Sequence, residues 1–170
     1  KNPRFNSVGG TARYGWTGLN NTAIAWGDGS FELSVNGKPA GELIIGQTVA
    51  HNVPASQGQV WSASIEVENK SAADIYIRIG ILVTGSETFF GDNTLIPAGG
   101  KVVVKQEGRV FFAANTSAAR IVVHNGTDQS IPSGAVLVFR KPMLNIGDSA
   151  LEYFDGFSAG TSNVEYSWEG

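Results

Sequence analysis

The sequence predicts an all-β chain, an antiparallel β-sandwich or jelly roll, on three observations. Between Gln59 and Gly85 two long segments alternate apolar and polar residues with the period of two that marks a half-buried strand. Glycine supplies 22 of 170 residues at no fixed period, which fits many turns and excludes a collagen-like repeat. No stretch carries the apolar periodicity of a long amphipathic helix.

The Gln59–Gly85 segment anchors the reading. In its first arm Trp61, Ala63, Ile65 and Val67 share one face, with Ser62, Ser64, Glu66 and Glu68 on the other. The second arm places Ile75, Ile77, Ile79, Ile81 and Val83 inward and Asp74, Tyr76 and Arg78 outward, and its β-branched residues favour a pleated surface. Asn69 to Ala73 is polar and short, so the arms are expected to pair as a hairpin.

The other elements follow in chain order. Asn2 to Asn6 reads as an edge strand, where Pro3 costs no ladder bond. Thr22 to Trp26 and Phe31 to Val35 are strands separated by Gly27-Asp28-Gly29, the second ending at Asn36-Gly37. Leu43 to Ile45 and a weak segment from Gln47 to His51 lead into the central pair. Ser86 to Gly100 reads as a long loop holding Phe89 and Phe90, and loops of that length are often functional. Lys101 to Gln106 and Val110 to Ala114 are strands around a Glu107-Gly108 turn. Arg120 to His124, Ala135 to Phe139 and an alternating tail from Asn163 to Trp168 complete about ten short strands, a sandwich pattern.

Composition narrows the function classes. The length suits one domain spanning 1–170, with 149–170 as a C-terminal closing segment. A net charge of −3 with 12 Lys and Arg gives no basic stripe for phosphates, so nucleic acid is not an expected partner. No apolar run approaches the ~20 residues of a membrane span, and no signal peptide is evident at Lys1. Cysteine is absent, which excludes disulfides and thiolate metal sites.

The order of motifs carries a resemblance. Asn2-Pro3-Arg4-Phe5 followed by Tyr14-Gly15-Trp16 resembles the N-P-x-F … G-W opening of jelly-roll carbohydrate-binding modules of families four and nine. Val60 to Val67, Ser117 to Asn125 and Val136 through Leu144 to Asp148 resemble successive core segments of the same modules. The tail, Ser149 to Gly156 and then Tyr166 to Gly170, is similar to the ending of such modules in virion proteins of tailed bacteriophages. The resemblance implies a galactose-binding-like jelly roll acting as a non-enzymatic structural module of a virion, a minor tail or capsid decoration protein. It further implies location in the extracellular particle, other virion proteins as partners, and display as a homo-oligomer or on a symmetric shell. The alternative is an adsorption module recognising host cell-envelope carbohydrate; a third reading is an accessory module of a secreted glycosidase. Where many family members have an acidic pair used in part for a structural calcium, this chain has Arg140 and Lys141. Two cations oppose a hard dication that needs about six to eight oxygen ligands, so a structural calcium, for which Asp28, Asp148 and Asp155 could still supply oxygens, is possible but not supported, and no metal or cofactor is expected.

Catalysis finds no motif. His51 and His124 do not form an H-E-x-x-H pair, no G-x-S-x-G is present, and Glu66 with Glu68 lies on one face of one strand. For glycan binding, exposed aromatics flanked by polar groups are needed. Candidates are Glu66, Tyr76, Arg78, Arg120 and His124 on outward faces of neighbouring strands, Phe89 and Phe90 from the long loop, and Trp26 at an edge. For Glu66, Arg78 and Arg120 singly, cross-strand charge pairing is the simpler account. Trp61 is expected in the core, and Trp16 and Trp168 as packing residues near the ends of the sandwich. The four Asn-x-Ser/Thr triplets, at Asn20, Asn69, Asn115 and Asn125, are read as coincidental in so Asn-rich a chain.

Overall fold

The computed structural model describes residues 12–13, 16–18, 22–27, 30–47, 53–84 and 88–153. The expected strand at Asn2–Asn6, the alternating tail and Trp168 lie outside these residues, as do Tyr14 and Gly15 of the opening motif. Among the described residues thirteen strands form two antiparallel sheets, which is the expected all-β sandwich. In chain order they are β1 (Ala12–Arg13), β2 (Trp16–Gly18), β3 (Thr22–Gly27), β4 (Ser30–Lys38), β5 (Leu43–Gln47), β6 (Val53–Pro54), β7 (Val60–Asn69), β8 (Ile75–Val83), β9 (Thr88–Phe90), β10 (Thr94–Ile96), β11 (Lys101–Val110), β12 (Ala118–Asn125) and β13 (Ile131–Ile146). One sheet has the order β11-β7-β13-β4-β3; the other runs β1-β2-β5-β12-β8-β10, with β6 on β12 and β9 on β8, eight strands in all.

The central pair is not a hairpin. β7 sits between β11 and β13 in the five-stranded sheet, and β8 pairs β12 in the eight-stranded one, so Asn69–Ala73 crosses between layers. The alternation is satisfied equally by either arrangement, because it marks which face is buried and not which strand is the neighbour. The crossing is fixed by Asn69, whose buried side-chain amide donates to the Ala73 and Ile96 carbonyls at 2.8 and 3.1 Å. Its Oδ1 accepts the Ser71 N–H at 2.9 Å. A fully buried Asn69 is no glycosylation acceptor in the folded chain, and buried Asn125 is none either.

Three further expectations change. The long loop contains β9 and β10, both paired to β8. Lys101–Val110 is one strand, interrupted but not ended at Gly108 (φ 66°), where its register against β7 shifts. Ala135–Phe139 is the middle of the sixteen-residue β13, which carries an irregularity between Arg140 and Met143 where Lys141 takes φ 51°. Such bulges bend a strand and re-aim its side chains.

Between the sheets lies the core. Ile75, Ile77, Ile79, Ile81 and Val83 meet Trp61, Ala63, Ile65 and Val67 across it, all nearly fully buried. Trp61 is a core residue as expected, and Trp16 packs into the same core, at 2% and 0% exposure. Phe31 stacks on Phe139 with centroids 4.9 Å apart, and Trp61, Phe111 and Phe89 form a second stack at 5.9 and 5.8 Å.

Candidate functional site

With the apolar residues turned inward, each sheet presents a polar outer face, and the two faces differ. On the five-stranded sheet Glu66 receives Lys141 at 3.5 Å, Lys101 at 3.7 Å and Arg140 at 4.0 Å. Arg140 also bonds Glu68 at 2.6 Å, and that bond is the main reason the Glu68 carboxyl is held below its usual range. Lys70 pairs with Glu32 at 2.8 Å. The chain from Gly147 to Tyr153 then crosses this face: Ser62 Oγ donates to the Gly147 carbonyl, the Ala150 N–H donates to Glu107, and Leu151 N–H donates to Asn145. A groove of about 390 Å³ lies beneath it, lined in part by Glu66, Val103, Lys141 and Leu151.

Glu66 therefore does not converge with the other candidates, because β7 and β8 belong to opposite layers. It is a cross-strand charge partner, as the simpler account has it. Trp26 also sits away from them, on edge strand β3 of the five-stranded sheet.

Tyr76, Arg78, Arg120, His124 and Phe90 do share one surface, the outer face of the eight-stranded sheet. Register places them. His124 on β12 lies opposite Arg78 on β8, Arg120 opposite Leu82, and Val122 opposite both Gly80 and Gly46. Gly80 in turn faces Phe90 on β9. A Cβ on Gly80 would meet the Phe90 ring at 2.7 Å, so glycine here is what lets the ring lie across β8 toward Val122. The Phe90 ring contacts His124 edge-on with centroids 4.4 Å apart, and the Arg78 guanidinium carbon sits 4.2 Å from its centroid.

Phe89 and Phe90 thus separate. Adjacent residues on a strand point to opposite faces, so Phe89 packs into the core on Phe111 while Phe90 stays outside. Phe90 is also no bare aromatic platform, since Arg78 occupies one of its faces. What the surface offers is a guanidinium held in place by a ring.

His124 is half-buried, and its Nδ1 donates to the Gly41 carbonyl at 3.1 Å. Burial lowers its pKa below the usual value; the Gly41 bond opposes that, and the positive charges of Arg78 and Lys38 add to it. The Nε atoms of both Arg78 and Arg120 are buried without a hydrogen-bond partner. At one end of this face Tyr76, Asn93, Asp128 and Gln129 line a hollow of about 210 Å³. Asn93 braces it by donating to Thr127 Oγ1 at 2.8 Å and accepting the Thr127 N–H at 3.2 Å. Sequence reading missed Asn93, Asp128 and Gln129. They lie on loops that only the fold brings beside Tyr76, where the Gly126 N–H donates to the Tyr76 carbonyl at 2.7 Å.

No family model matches the sequence, and no curated protein matches it significantly. Solved structures do match. Its fold is shared with jelly-roll carbohydrate-binding modules. A xylan-binding domain of family 22 superposes at TM-score 0.59 and 8% identity, over 89% of this chain and 96% of that one. A family 4 module does so at TM-score 0.54 and 9% identity, over 78% and 86%. An arabinose-bound α-L-arabinofuranosidase, MgGH51, reaches TM-score 0.62 at 14% identity, matching 86% of this chain but only 26% of its own. At these identities the likeness establishes the fold. None of the three is described as a virion protein, and the tail residues 154–170, on which the virion expectation mostly rests, lie outside the described residues.

Arg140 and Lys141, at the positions where the resemblance puts an acidic pair, are bound to Glu66 and Glu68 and supply cations there. Among the described residues no group of three or more His, Asp or Glu is placed to hold an ion.

Proposed function

We propose that this chain is a non-catalytic carbohydrate-binding module that takes a glycan across the outer face of its eight-stranded sheet. The observation that carries this reading is the contrast between the faces. One has its charges consumed in mutual ion pairs; the other holds Arg78, Arg120, His124 and Tyr76, with a polar hollow at its Tyr76 end and the terminal nitrogens of both arginines without a partner among the described residues. A sugar presents hydroxyls that accept from guanidinium and amide groups, and a few convergent polar side chains on a rigid scaffold are what such recognition requires. The fold agrees, since one of the similar structures is described as a xylan-binding domain. The carboxylates Glu66 and Glu68, engaged by Arg140, offer no acid–base pair across an open cleft.

Titration of the folded chain against soluble xylo-oligosaccharides, β-glucans and bacterial wall polysaccharides tests the reading. Saturable binding that Tyr76→Ala and Arg78→Ala weaken, and Glu68→Gln on the opposite face leaves alone, is the expected result. Absence of binding to every polysaccharide, with the chain folded, would sink it.

A further inference from the structure

We infer that the glycan this face prefers carries oxyanions, carboxylates of uronic acid residues or ester sulfates, read by Arg78 and Arg120. The inference rests on the carbohydrate-binding reading above and narrows it to a ligand class.

The two arginines are set apart from the other cations among the described residues. Lys38, Lys70, Lys101, Lys105, Arg140 and Lys141 each have a carboxylate within 4.0 Å. Arg109 donates to the Phe90 carbonyl at 3.3 Å. Arg78 and Arg120 make neither an ion pair nor a hydrogen bond with any described residue, although both are partly buried and both have a buried Nε. The Nε atoms are sealed from solvent, but the terminal guanidinium nitrogens are not among the buried atoms and make no hydrogen bond with a described residue, so they are the donors that an acceptor from outside can reach. The carboxylates bordering this face leave the guanidiniums alone: Glu42 is taken by Lys38, and neither Asp92 nor Asp128 comes within ion-pair distance of either arginine.

Geometry suits an extended ligand. Arg78 lies opposite His124 and Arg120 opposite Leu82, four residues along the same pair of strands, so their backbones are separated by ~13 Å along the sheet. Between them Gly46, Val122 and Gly80 are buried, Gly80 beneath the Phe90 ring, which fixes the Arg78 end. A guanidinium pre-set on a ring loses little freedom on binding, and its planar fork matches an oxyanion in two-pronged fashion. Overall charge does not explain such a preference. At −3 the chain as a whole repels polyanions, so any attraction must come from this local arrangement.

The deciding comparison uses glucuronoxylan and the same polymer after chemical reduction of its carboxyl groups, titrated in parallel at low and moderate salt. The acidic polymer should bind about tenfold more tightly, and Arg78→Gln and Arg120→Gln should each shrink that ratio toward one while the thermal unfolding midpoint stays near wild type. Chondroitin against chondroitin sulfate separates carboxylate from sulfate as the preferred group. Equal affinity for native and reduced glucuronoxylan overturns the inference and leaves a neutral-glycan module standing. A preference that both arginine variants retain in full also overturns it, because the selectivity then lies elsewhere. Failure to bind any of the four polymers, or the polysaccharides above, removes the carbohydrate reading itself.

Discussion

The outer faces of the two sheets are built from the same residue types and end in opposite states. On the five-stranded sheet Lys101, Arg140 and Lys141 converge on Glu66 from two neighbouring strands, and residues 147–153 close over part of the result. On the eight-stranded sheet Arg78 rests on Phe90, Arg120 meets no carboxylate among the described residues, and Gly80 makes room for the Phe90 ring. A charge already matched within its own face has little to give a ligand, whereas an unmatched one that is held still gives it without reordering. The difference lies in pairing, and it can be broken experimentally from either side.

Filling the space beneath the Phe90 ring should have the largest effect. Gly80→Leu puts a branched side chain where Phe90 lies at 2.7 Å, displacing the ring and with it Arg78 and His124. We expect about 1–3 kcal/mol of destabilisation from overpacking, together with loss of glycan binding. Val103→Leu on the opposite face, where the residue is 50% exposed, should change stability by less than about 0.5 kcal/mol and binding not at all. Chemical denaturation and calorimetric titration of the two variants side by side check both halves. Equal effects would mean the faces are not functionally distinct.

Removing one charge from each face should separate stability from binding. Glu66→Gln leaves Lys101, Lys141 and part of the Arg140 contact unmatched, and should cost about 1 kcal/mol at low salt, less at high salt, with binding intact. Arg120→Met keeps much of the side-chain volume but deletes a buried, unpartnered Nε. Its stability should hold or rise, by up to about 1 kcal/mol, while binding falls. Should Arg120→Met destabilise the chain as Glu66→Gln does, Arg120 is structural and the contrast fails.

How far the sequence discloses this contrast follows from what alternation encodes. Period two correctly turns Ile75, Ile77, Ile79, Ile81 and Val83 inward and Tyr76 and Arg78 outward, so the core and the polar rows are legible. It says nothing of partners, so it groups Glu66 with Arg78 although the crossing at Asn69 sends their strands to opposite layers. Phe89 and Phe90 do carry a signal, because a strand over Thr88–Phe90 puts neighbouring side chains on opposite sides, whereas a loop leaves their sides open. Gly80 and Gly46 look like ordinary glycines until register sets Val122 between them. The hollow of Tyr76, Asn93, Asp128 and Gln129 has no local signal at all, because it is assembled from three separate segments.

The smallest expected effect is the pH dependence of His124. Burial is the main reason its pKa lies below 6.5, with the charges of Arg78 and Lys38 acting in the same direction against the Gly41 bond. Since the folded value is the lower one, the unfolded chain takes up the proton first as pH falls. The contribution of neutral His124 is therefore fully present above the unfolded pKa near 6.5 and is lost as pH drops through the folded value. The unfolding midpoint should decline across that window, and His124→Asn, which can keep a donor toward Gly41, should remove that part of the decline. Arg78→Gln should flatten it only partly, because it takes away one positive neighbour and leaves the burial. A slope unchanged by His124→Asn would assign the dependence to another group. A slope flattened as fully by Arg78→Gln as by His124→Asn would mean that charge and not burial governs His124, and hence that the eight-stranded face is wetter than its packing around Phe90 implies.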